Sequence, residues 1–590
     1  MTKTVPDLEN PLIVQSDQTL LLDVHSKRAE EAREAILPFA ELEKSPEHIH
    51  TYRISPLSLW NAAGAGYSPD DVIKALQAYT RYAIPTGITE TFADTMARYG
   101  KIRLVAAPDA EVPGTSDTDL PDLYLVADDE AVKAEIGAVK VLEKYLTKTA
   151  EGFRLRLTDR GSVKRELIKQ GWPVQDMAPF IKGEALELDL RRQNSLGQGF
   201  SPRDYQIEAA KSVLGSGGPG AGYGVVVLPC GSGKTVVGMV FMTMLKTNTL
   251  ILTTNVAAVH QWMEELLDKT SLRPEQIAEY TGDTKEVAPV TVATYQIITW
   301  RPDKAGDFPH FKLFRERPWG LIIYDEVHLL PAPVFRVTAE LQAVRRLGLT
   351  ATLVREDGAE DAVFSLVGPK RYDVPWKDLE TKGWIAEALC TEIRLDLPEN
   401  LKIPYAVASS REKYRIASEN PFKEGAVKQL VENHSTDQIL VIGQYISQLE
   451  KLARMLAAPL ITGKTPNAER EKIYGAFRKG EVRVIVVSKV ANFAIDLPDA
   501  SMAIQVSGSF GSRQEEAQRL GRILRPKGEP GNPQSGGRNS WFYTVVSRYT
   551  VEEDFAANRQ KFLAEQGYKY SIQHWTSGGI GETGGQGGGH

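Results

Sequence analysis

Cysteine is almost absent from this chain, which has only Cys230 and Cys390 in 590 residues. Two distant thiols exclude a disulfide framework, a four-cysteine zinc site and a four-cysteine iron–sulfur cluster within one chain. No apolar run approaches the roughly 18 residues of a membrane-spanning helix. The start, MTKTVPDLENPLIV, lacks the pattern of a secretory signal. We therefore expect a soluble, cytoplasmic protein.

An excess of positive charge is also missing. The chain has 70 Lys and Arg against 76 Asp and Glu, a formal net charge of −6. This is not the basic footprint of a protein that coats nucleic acid, so any contact with DNA must use local basic patches. Hydrophobic residues make up 42% and charged residues 25%, an ordinary globular balance. The length favours about three to five domains.

The N-terminal third predicts two accessory α+β domains, residues 1–100 and 101–190. LIVQSDQTLLLDV predicts two short strands around a polar turn. Ser68 and Pro69 are suited to the N-cap and first position of a helix. RLVA, LYLVA and FRLRL are typical of strands and VKRELIKQ of a helix. Neither region contains a catalytic constellation, so we interpret both as binding or docking regions.

Composition breaks divide the rest of the chain. The polar segment LRRQNSLGQGFSPRD precedes the first strong motif, and a second break lies near Gly383. We expect one lobe over residues 200–375 and another over residues 376–575. The tail, residues 576–590, is dominated by glycine and is predicted to be flexible.

A glycine-rich turn between a strand and a helix is the first motif that predicts a specific chemistry. GVVVLPC is typical of a buried strand, GSGKT of a phosphate-binding turn and VVGMVFMTML of the following helix. Backbone N–H groups of the turn can bind phosphate oxygens; the residues are Gly231, Ser232, Gly233, Lys234 and Thr235. Lys234 places a cation on the β- and γ-phosphates, and the Thr235 hydroxyl can hold Mg²⁺. Leu228 replaces the usual first glycine.

An acidic pair follows a second apolar run. WGLIIYDEVH places Asp325 and Glu326 at the carboxyl edge of a parallel strand, where ligands bind in open α/β sheets. Asp325 is expected to hold Mg²⁺, usually through water, and Glu326 to orient or deprotonate the attacking water. Exposed acidic pairs are common at strand ends, but the spacing after the phosphate-binding turn favours a nucleotide site. Upstream, FSPRDYQ contains Arg203, Tyr205 and Gln206, where an aromatic ring and a carboxamide can stack on adenine and hydrogen-bond to it.

Two further segments predict a motor. LGLTATLVRED contains Thr350 and Thr352, whose hydroxyls can relay hydrogen bonds from the acidic pair. In SRQEEAQRLGRILR, Gln518, Arg522 and Arg525 share one face of a predicted helix. Alone this would be a solvated basic face, but beside a nucleotide site it favours arginine fingers from a second lobe. Two α/β lobes would then enclose ATP in a cleft that closes on binding.

Several predicted strand ends carry candidates for nucleic-acid contact. TTNVAAVHQW and ATYQ lie in the first lobe, and VIGQY, ITGKT and VVSKVANFAIDLP lie in the second. Backbone amides, hydroxyl groups and Lys489 in these segments can follow phosphates without reading sequence. The ordered series favours nucleic-acid binding more than any one segment does.

From about Arg203 to Tyr570 the chain resembles the XPB family of superfamily 2 DNA repair helicases. LPCGSGKT, DEVHLLPAPVFR, LGLTATLVRED, GSRQEEAQRLGRILR and FLAEQGYKY occur in the order of that family's motifs. The resemblance implies an α/β fold of two RecA-like parallel-sheet lobes in tandem, preceded by N-terminal α+β accessory domains. It implies ATP and Mg²⁺ as cofactors and 3′-to-5′ separation of DNA strands in nucleotide excision repair.

The resemblance also assigns roles that spacing alone does not. It implies that Arg355, Glu356 and Asp357 assist unwinding as a wedge, and that a thumb-like insert lies near 395–425. Residues 101–190 occupy the place of the damage-recognition domain, and residues 1–100 resemble the extension of bacterial members. Shortness and the lack of long charged tails favour the bacterial type. The resemblance also implies a repair nuclease as a candidate partner, since archaeal members of the family have one.

The expected partner is DNA at single-strand/duplex junctions with 3′ tails, bound by a monomer without zinc or iron–sulfur cluster. Three other readings remain open. The first is a double-stranded DNA translocase that remodels protein–DNA complexes without net unwinding. The second is a recognition scaffold whose ATPase acts as a clamp. The third, RNA unwinding, is disfavoured only by the family resemblance.

Overall fold

The structure is a computed structural model. It describes residues 7–44, 48–106, 123–156, 159–178, 180, 183–195, 197–215, 221–229, 231–303, 308–330, 344–351, 360–374, 379, 388–488, 500–507, 540–565, 570–576 and 579–581. The chain divides into two compact units. One contains Met1–Leu228 and Gly233–Asp373, and the other Pro229–Ser232 and Val374–His590. Among the described residues, no helix has the length and apolar character needed to cross a membrane.

The N-terminal region is an antiparallel sheet packed with four helices. The strands are β1 (Leu12–Val14), β2 (Thr19–Asp23), β3 (Glu41–Lys44) and β4 (Ile49–Arg53), in the order β1-β2-β4-β3. The helices are α1 (Ala29–Ile36), α2 (Pro56–Gly64), α3 (Pro69–Tyr79) and α4 (Thr86–Ala97). The two strands predicted around the polar turn are confirmed as β1 and β2, which pair antiparallel. The predicted cap is confirmed too, since the Ser68 side chain accepts a hydrogen bond from Asp71 N at the start of α3.

A second, mixed sheet follows. Its strands are β5 (Ile102–Ala106), β6 (Leu123–Ala127), β7 (Thr147–Lys148), β8 (Gly152–Leu155) and β9 (Val174–Asp176), in the order β7-β8-β6-β5-β9. Helices α5 (Glu130–Gly137) and α6 (Arg160–Lys169) accompany it. The strands predicted from RLVA, LYLVA and FRLRL and the helix predicted from VKRELIKQ are thus confirmed. Apolar side chains of these elements form one buried cluster.

The first lobe is a seven-stranded sheet in which every pairing is parallel. The strands are β10 (Tyr223–Val227), β11 (Thr249–Thr253), β12 (Ile277–Tyr280), β13 (Val290–Thr294), β14 (Leu321–Asp325), β15 (Arg345–Thr350) and β16 (Lys370–Asp373), in the order β12-β13-β11-β14-β15-β10-β16. The helices are α7 (Asp204–Leu214), α8 (Lys234–Leu245), α9 (Val256–Lys269), α10 (Tyr295–Ile298), α11 (Leu313–Glu316) and α12 (Glu360–Leu366). The order places β10, β14 and β15 side by side, so that the ends of β10, β14 and β15 meet at one edge.

The second lobe is an eight-stranded sheet, parallel except for its last strand. The strands are β17 (Ala388–Leu395), β18 (Ile439–Gly443), β19 (Leu460–Ile461), β20 (Val484–Ser488), β21 (Met502–Gln505), β22 (Ser540–Ser547), β23 (Tyr570–Thr576) and β24 (Gly579–Gly581), in the order β19-β20-β18-β21-β22-β17-β23-β24. The helices are α13 (Glu399–Val407), α14 (Ser410–Ser418), α15 (Phe422–Asn433), α16 (Ile446–Met455), α17 (Asn467–Arg478) and α18 (Val551–Glu565). The predicted fold class, two RecA-like lobes after N-terminal α+β regions, is confirmed.

Two predictions about this lobe can be compared with its elements. The segment 395–425, predicted to hold a thumb-like insert, contains α13, α14 and the start of α15. The tail was predicted to be flexible throughout, and this is wrong for Gly579–Gly581. These residues pair antiparallel with His574–Thr576, because β23 leaves one edge of the sheet open to a further strand.

Candidate nucleotide site

The phosphate-binding turn lies between β10 and α8, as its sequence predicts. Gly231 and Gly233 both have positive φ, 79° and 78°, in the left-handed region that glycine adopts without steric cost. Successive N–H groups can converge on an anion in such a turn. Ser232 Oγ donates a hydrogen bond of 2.6 Å to the Pro229 carbonyl and closes the turn. Lys234 is the first residue of α8, so the helix N-terminus adds to the positive potential.

The acidic pair lies at the end of β14, next to the lysine of that turn. Lys234 Nζ is 3.4 Å from Glu326 Oε1, and the two side chains are only 11% and 14% exposed. Glu326 N donates to Asp325 Oδ1 at 3.1 Å. The backbone N–H of Ala351 also donates to the Glu326 carboxylate. The structure therefore brings Lys234 together with Asp325 and Glu326. The lysine precedes this acidic pair by 91 residues in the sequence.

The electrostatics of the two carboxylates differ. Burial, followed by the negative charge of Glu326, raises the pKa of Asp325 to about 6. Burial also acts to raise the pKa of Glu326, but Lys234 and then His328 outweigh it and hold that pKa below its usual value. One lysine thus compensates two buried acids incompletely, and the site favours a further cation.

The TAT segment touches both the phosphate-binding turn and the acidic pair. Thr350 ends β15, and its Oγ1 lies 2.7 Å from His328 Nδ1 in a buried hydrogen bond. The Thr350 carbonyl accepts from Leu228 N at 2.9 Å. Leu228, the residue that replaces the usual glycine, is fully buried. Thr350 and Ala351, the described residues of this motif, therefore contact both nucleotide-binding segments, so a change at either segment can be transmitted to β15.

Sequence reasoning missed two residues that bind the aspartate. Trp262 Nε1 donates to Asp325 Oδ2 at 2.9 Å, and Tyr295 Oη donates to the Asp325 carbonyl at 2.9 Å. Both residues belong to segments that were assigned to nucleic-acid contact, HQW and ATYQ. His328 was likewise given no role of its own. In the sequence, Trp262, Tyr295 and His328 are marked only by lying in or next to the motifs. That position does not predict which side chain each of them bonds to.

The candidate adenine-binding residues lie at the start of α7. Gln206 is 4% exposed, its Oε1 accepts from Arg203 N at 2.9 Å, and its Nε2 lies 3.5 Å from the Gly233 carbonyl. Arg203 Nη1 donates to Tyr205 Oη at 3.2 Å. The structure thus places Gln206 against the phosphate-binding turn, while Arg203 and Tyr205 pair with each other.

The remaining predicted site residues lie outside the described residues. They are Thr352, Arg355, Glu356, Asp357, Lys489, Gln518, Arg522 and Arg525. Thr235 is half-buried, as the second residue of α8. In lobe one, the segments proposed for nucleic-acid contact follow β11 and β13, and Gln296 Nε2 donates to the Thr254 carbonyl between them.

Sequence comparisons match family models over most of the chain. Residues 379–579 match the ERCC3/RAD25/XPB C-terminal helicase family. Residues 199–355 match the type III restriction enzyme res subunit family, and residues 12–151 match a helicase conserved C-terminal domain. The last of these matches lies in the N-terminal accessory region, outside both lobes.

Full-length relatives are similar over nearly the whole chain. The chain is 51% identical to a DNA 3′-5′ helicase XPB of Kineococcus radiotolerans, over 96% of both proteins. It is 50% identical to a DNA 3′-5′ helicase XPB of Mycobacterium tuberculosis, over 96% of this chain and 98% of that protein. It is 31% identical to a general transcription and DNA repair factor IIH helicase/translocase subunit XPB of Enterocytozoon bieneusi, over 95% of this chain and 92% of that protein.

Proposed function

The chain belongs to the XPB family of helicases, and we propose that it uses ATP hydrolysis to separate DNA strands with 3′-to-5′ polarity in nucleotide excision repair. One observation carries the catalytic part of this proposal. Lys234 of the phosphate-binding turn and the Asp325–Glu326 pair, distant in sequence, are in contact at one edge of a parallel sheet. The names of the bacterial relatives support the polarity. A role in DNA repair is supported by the name of the Enterocytozoon bieneusi relative, and the assignment to nucleotide excision repair rests on the family resemblance.

The described residues fit a nucleotide with its magnesium ion. Glu326 Oε2 is buried and accepts no hydrogen bond from a described residue; His328 Nδ1 is 3.6 Å away. Two buried carboxylates face one lysine, and carboxylate and hydroxyl oxygens are the ligands that Mg²⁺ prefers. Asp325 and Thr235 would hold the ion, which when bound neutralises charge on the β- and γ-phosphates.

The protein's own residues divide the remaining work. N–H groups from Gly231 to Thr235 orient the phosphates at the N-terminus of α8. Lys234 exchanges its contact with Glu326 for the phosphate oxygens when ATP binds. Glu326 is then available to orient the attacking water and accept its proton. Gln518, Arg522 and Arg525 remain predicted partners of the γ-phosphate, and Arg355, Glu356 and Asp357 a predicted wedge.

The ATPase assignment is tested by substituting the residues in contact. We expect Lys234→Ala and Glu326→Gln each to lower ATP turnover by at least about 100-fold, because each removes stabilisation of the transferred phosphoryl group or of the water. Lys246→Ala is a matched control. Lys246 is the C-cap of α8, the helix that starts at Lys234, and it pairs with Asp189 at the surface. Normal turnover by either site variant would overturn the assignment.

The nucleic-acid part is tested by strand displacement on duplexes with a 3′ or a 5′ single-stranded tail, with hydrolysis measured in the same reactions. Displacement of the 3′-tailed DNA alone is the expected result. DNA-stimulated hydrolysis without displacement would favour a translocase or an ATP-gated clamp. A translocase moving along the duplex should remove a third strand from triplex DNA, whereas a clamp should not, so a triplex-displacement assay distinguishes the two. Preference for an RNA tail would overturn the DNA assignment. A nuclease partner, a monomeric state and a cytoplasmic location remain predictions.

A further inference from the structure

Trp262 is a buried aromatic residue that bonds directly to the acidic pair. It lies on α9, is 1% exposed, and donates its indole N–H to Asp325 Oδ2 at 2.9 Å. Trp262 is not among the residues that bind the phosphates or orient the attacking water. Buried Trp N–H groups usually find a partner, but most such partners are backbone or uncharged groups. A carboxylate at a nucleotide site is a partner with a function of its own.

The indole ring has little freedom to move. A Cβ atom at Gly238 of α8 would lie 2.6 Å from Trp262 Cη2, so the glycine is what allows the ring to approach that helix. The same position lies 3.5 Å from Ile323 Cδ1 on β14. The ring therefore lies against α8, which starts at Lys234, and its N–H bonds to Asp325 at the end of β14. Its close approach to α8 and its burial restrict the direction of the N–H.

Both oxygens of Asp325 have defined donors. Oδ2 accepts from Trp262, and Oδ1 accepts from the backbone of Glu326 at 3.1 Å. A carboxylate held at both oxygens has one orientation, and a neutral donor fixes it without competing with a cation for the charge. Lys234, by contrast, contacts Glu326.

We propose that Trp262 is a positioning residue for Asp325, and that its N–H fixes the carboxylate in the orientation that receives the nucleotide-bound magnesium ion. This rests on the proposed function, in which Asp325 holds Mg²⁺. Outer hydrogen bonds to metal-binding carboxylates commonly change metal affinity by about 10-fold or more. The effect of losing Trp262 should therefore be specific to the metal rather than to the nucleotide.

Trp262→Phe removes the donor and keeps an aromatic ring. We expect the Mg²⁺ concentration for half-maximal hydrolysis to rise about 10-fold. In fluorescence titrations with a methylanthraniloyl-labelled ADP, affinity should fall in Mg²⁺ and stay unchanged in EDTA. Trp319→Phe is the matched control, because Trp319 is 2% exposed in the same lobe and donates to the Leu313 carbonyl at 2.9 Å. It should leave both titrations unchanged.

A second variant separates the hydrogen bond from packing. Benzothienylalanine at position 262 keeps the shape of the indole but replaces the N–H with sulfur. It should reproduce the Mg²⁺ defect of Trp262→Phe while the melting temperature stays at the wild-type value. A wild-type Mg²⁺ response in this variant would overturn the proposal, even if Trp262→Phe were destabilised.

Asp325→Asn distinguishes failure of this inference from failure of the proposed function. If Asp325→Asn binds labelled ADP with normal Mg²⁺ dependence, Asp325 is not the metal ligand and both fail. If Asp325→Asn loses that dependence but the Trp262 variants keep it, only the positioning role fails. Adding Trp262→Phe to Asp325→Asn should cause no further loss of Mg²⁺ dependence, and a further loss would contradict action through Asp325.

Discussion

At the scale of single residues, the acidic pair depends on an unusual backbone conformation. Glu326 has φ 50° and ψ 54°, in the left-handed region, which costs an L-residue roughly 1–2 kcal/mol. On a continuous strand, successive side chains point to opposite faces of the sheet. The left-handed residue ends β14, and both Asp325 and Glu326 then experience the charge of Lys234. The strain thus accompanies the juxtaposition that the chemistry requires.

The buried contact between Thr350 and His328 is expected to couple hydrolysis to movement. Thr350→Val keeps the shape of the side chain but removes the hydroxyl that lies 2.7 Å from His328 Nδ1. We expect strand displacement per ATP hydrolysed to fall about 10-fold, the factor that one net hydrogen bond of about 1.4 kcal/mol represents. Displacement and hydrolysis should be measured together on the 3′-tailed DNA.

Thr291→Val is the control for this prediction. Thr291 Oγ1 is also a buried hydroxyl of the same sheet, but it donates to the Ala288 carbonyl at 2.9 Å on β13. Its loss should lower stability without changing the ratio of displacement to hydrolysis. An equal effect of the two substitutions would mean that Thr350 acts only through stability.

Sequence reasoning reached some of these residues and not others, for a physical reason. The end of a strand and a glycine-rich turn are local properties of the sequence. The residues adjacent to Lys234, Asp325 and Glu326 are therefore enough to predict that all three belong to a nucleotide site. The contact of Trp262 with Asp325 depends on how α9 packs on α8 and on the sheet, so that the side chain reaches the end of β14, which no local pattern contains. His328 shows the same limit, since its partner is 22 residues away.

At the scale of elements, helix α8 illustrates packing that overrides local preference. Gly238 lies within α8, where alanine would be favoured by about 1 kcal/mol. The sequence VVGMVFMTML was rightly assigned to a helix despite this residue, because its long apolar run outweighs one glycine. The reason for the glycine became visible only with the Trp262 ring against it.

Gly238→Ala is therefore expected to destabilise the protein although it raises helix propensity. The new methyl group would lie 2.6 Å from Trp262 Cη2, and crowding of this kind in a packed core costs typically about 1–3 kcal/mol. Urea unfolding should show a lower midpoint for this variant. Gly475→Ala in α17 is the control, since a Cβ there meets nothing within 4 Å, and it should raise the midpoint slightly. A higher midpoint for Gly238→Ala would contradict the packing argument.

At the scale of the whole molecule, the second sheet and lobe one share a buried charged cluster. Asp176 of β9 accepts two hydrogen bonds from Arg160, at 2.9 and 2.7 Å, and one from Lys164 at 2.8 Å. Its carbonyl accepts from Tyr223 Oη of β10 at 3.3 Å. Arg346 of β15 is fully buried and lies 5.3 Å from the Tyr223 ring.

This buried charged cluster, which joins the second sheet to lobe one and is called the joint below, could not be predicted from the sequence. VKRELIKQ was correctly assigned to a helix, but a helix with this many charges ordinarily presents them to solvent. The structure instead buries Arg160 completely and leaves Lys164 4% exposed. The reason is the carboxylate of Asp176 on another element, and only the tertiary fold brings it to them. The cluster is one of the contacts that connect the accessory region to the motor.

Lys164 should make the stability of this joint depend on pH. Burial, only partly offset by Asp176, lowers the pKa of Lys164 to about 7. Between that value and the ordinary value of about 10.4, the unfolded chain binds more protons than the folded one. The contribution of Lys164 to stability therefore rises with pH above 7. Burial acts to raise the pKa of Asp176, but Arg160 and Lys164 outweigh it and hold that pKa far below its usual value, so Asp176 stays charged over this range. Burial lowers the pKa of Arg346 to about 10, so the comparison ends at pH 9, before Arg346 titrates.

Lys164→Met should remove this dependence while Arg160 still pairs with Asp176. From pH 6.5 to pH 9 we expect wild type to gain on the order of 2 kcal/mol relative to the variant, seen as melting curves that diverge as pH rises. Lys169→Met, at the exposed end of α6, should stay parallel to wild type. If Lys164→Met also stays parallel, Lys164 is charged throughout this range and the joint is a permanent ion cluster. If the curves diverge, the folded protein becomes more stable relative to the unfolded chain as Lys164 loses its proton, because the buried position no longer holds an incompletely compensated charge.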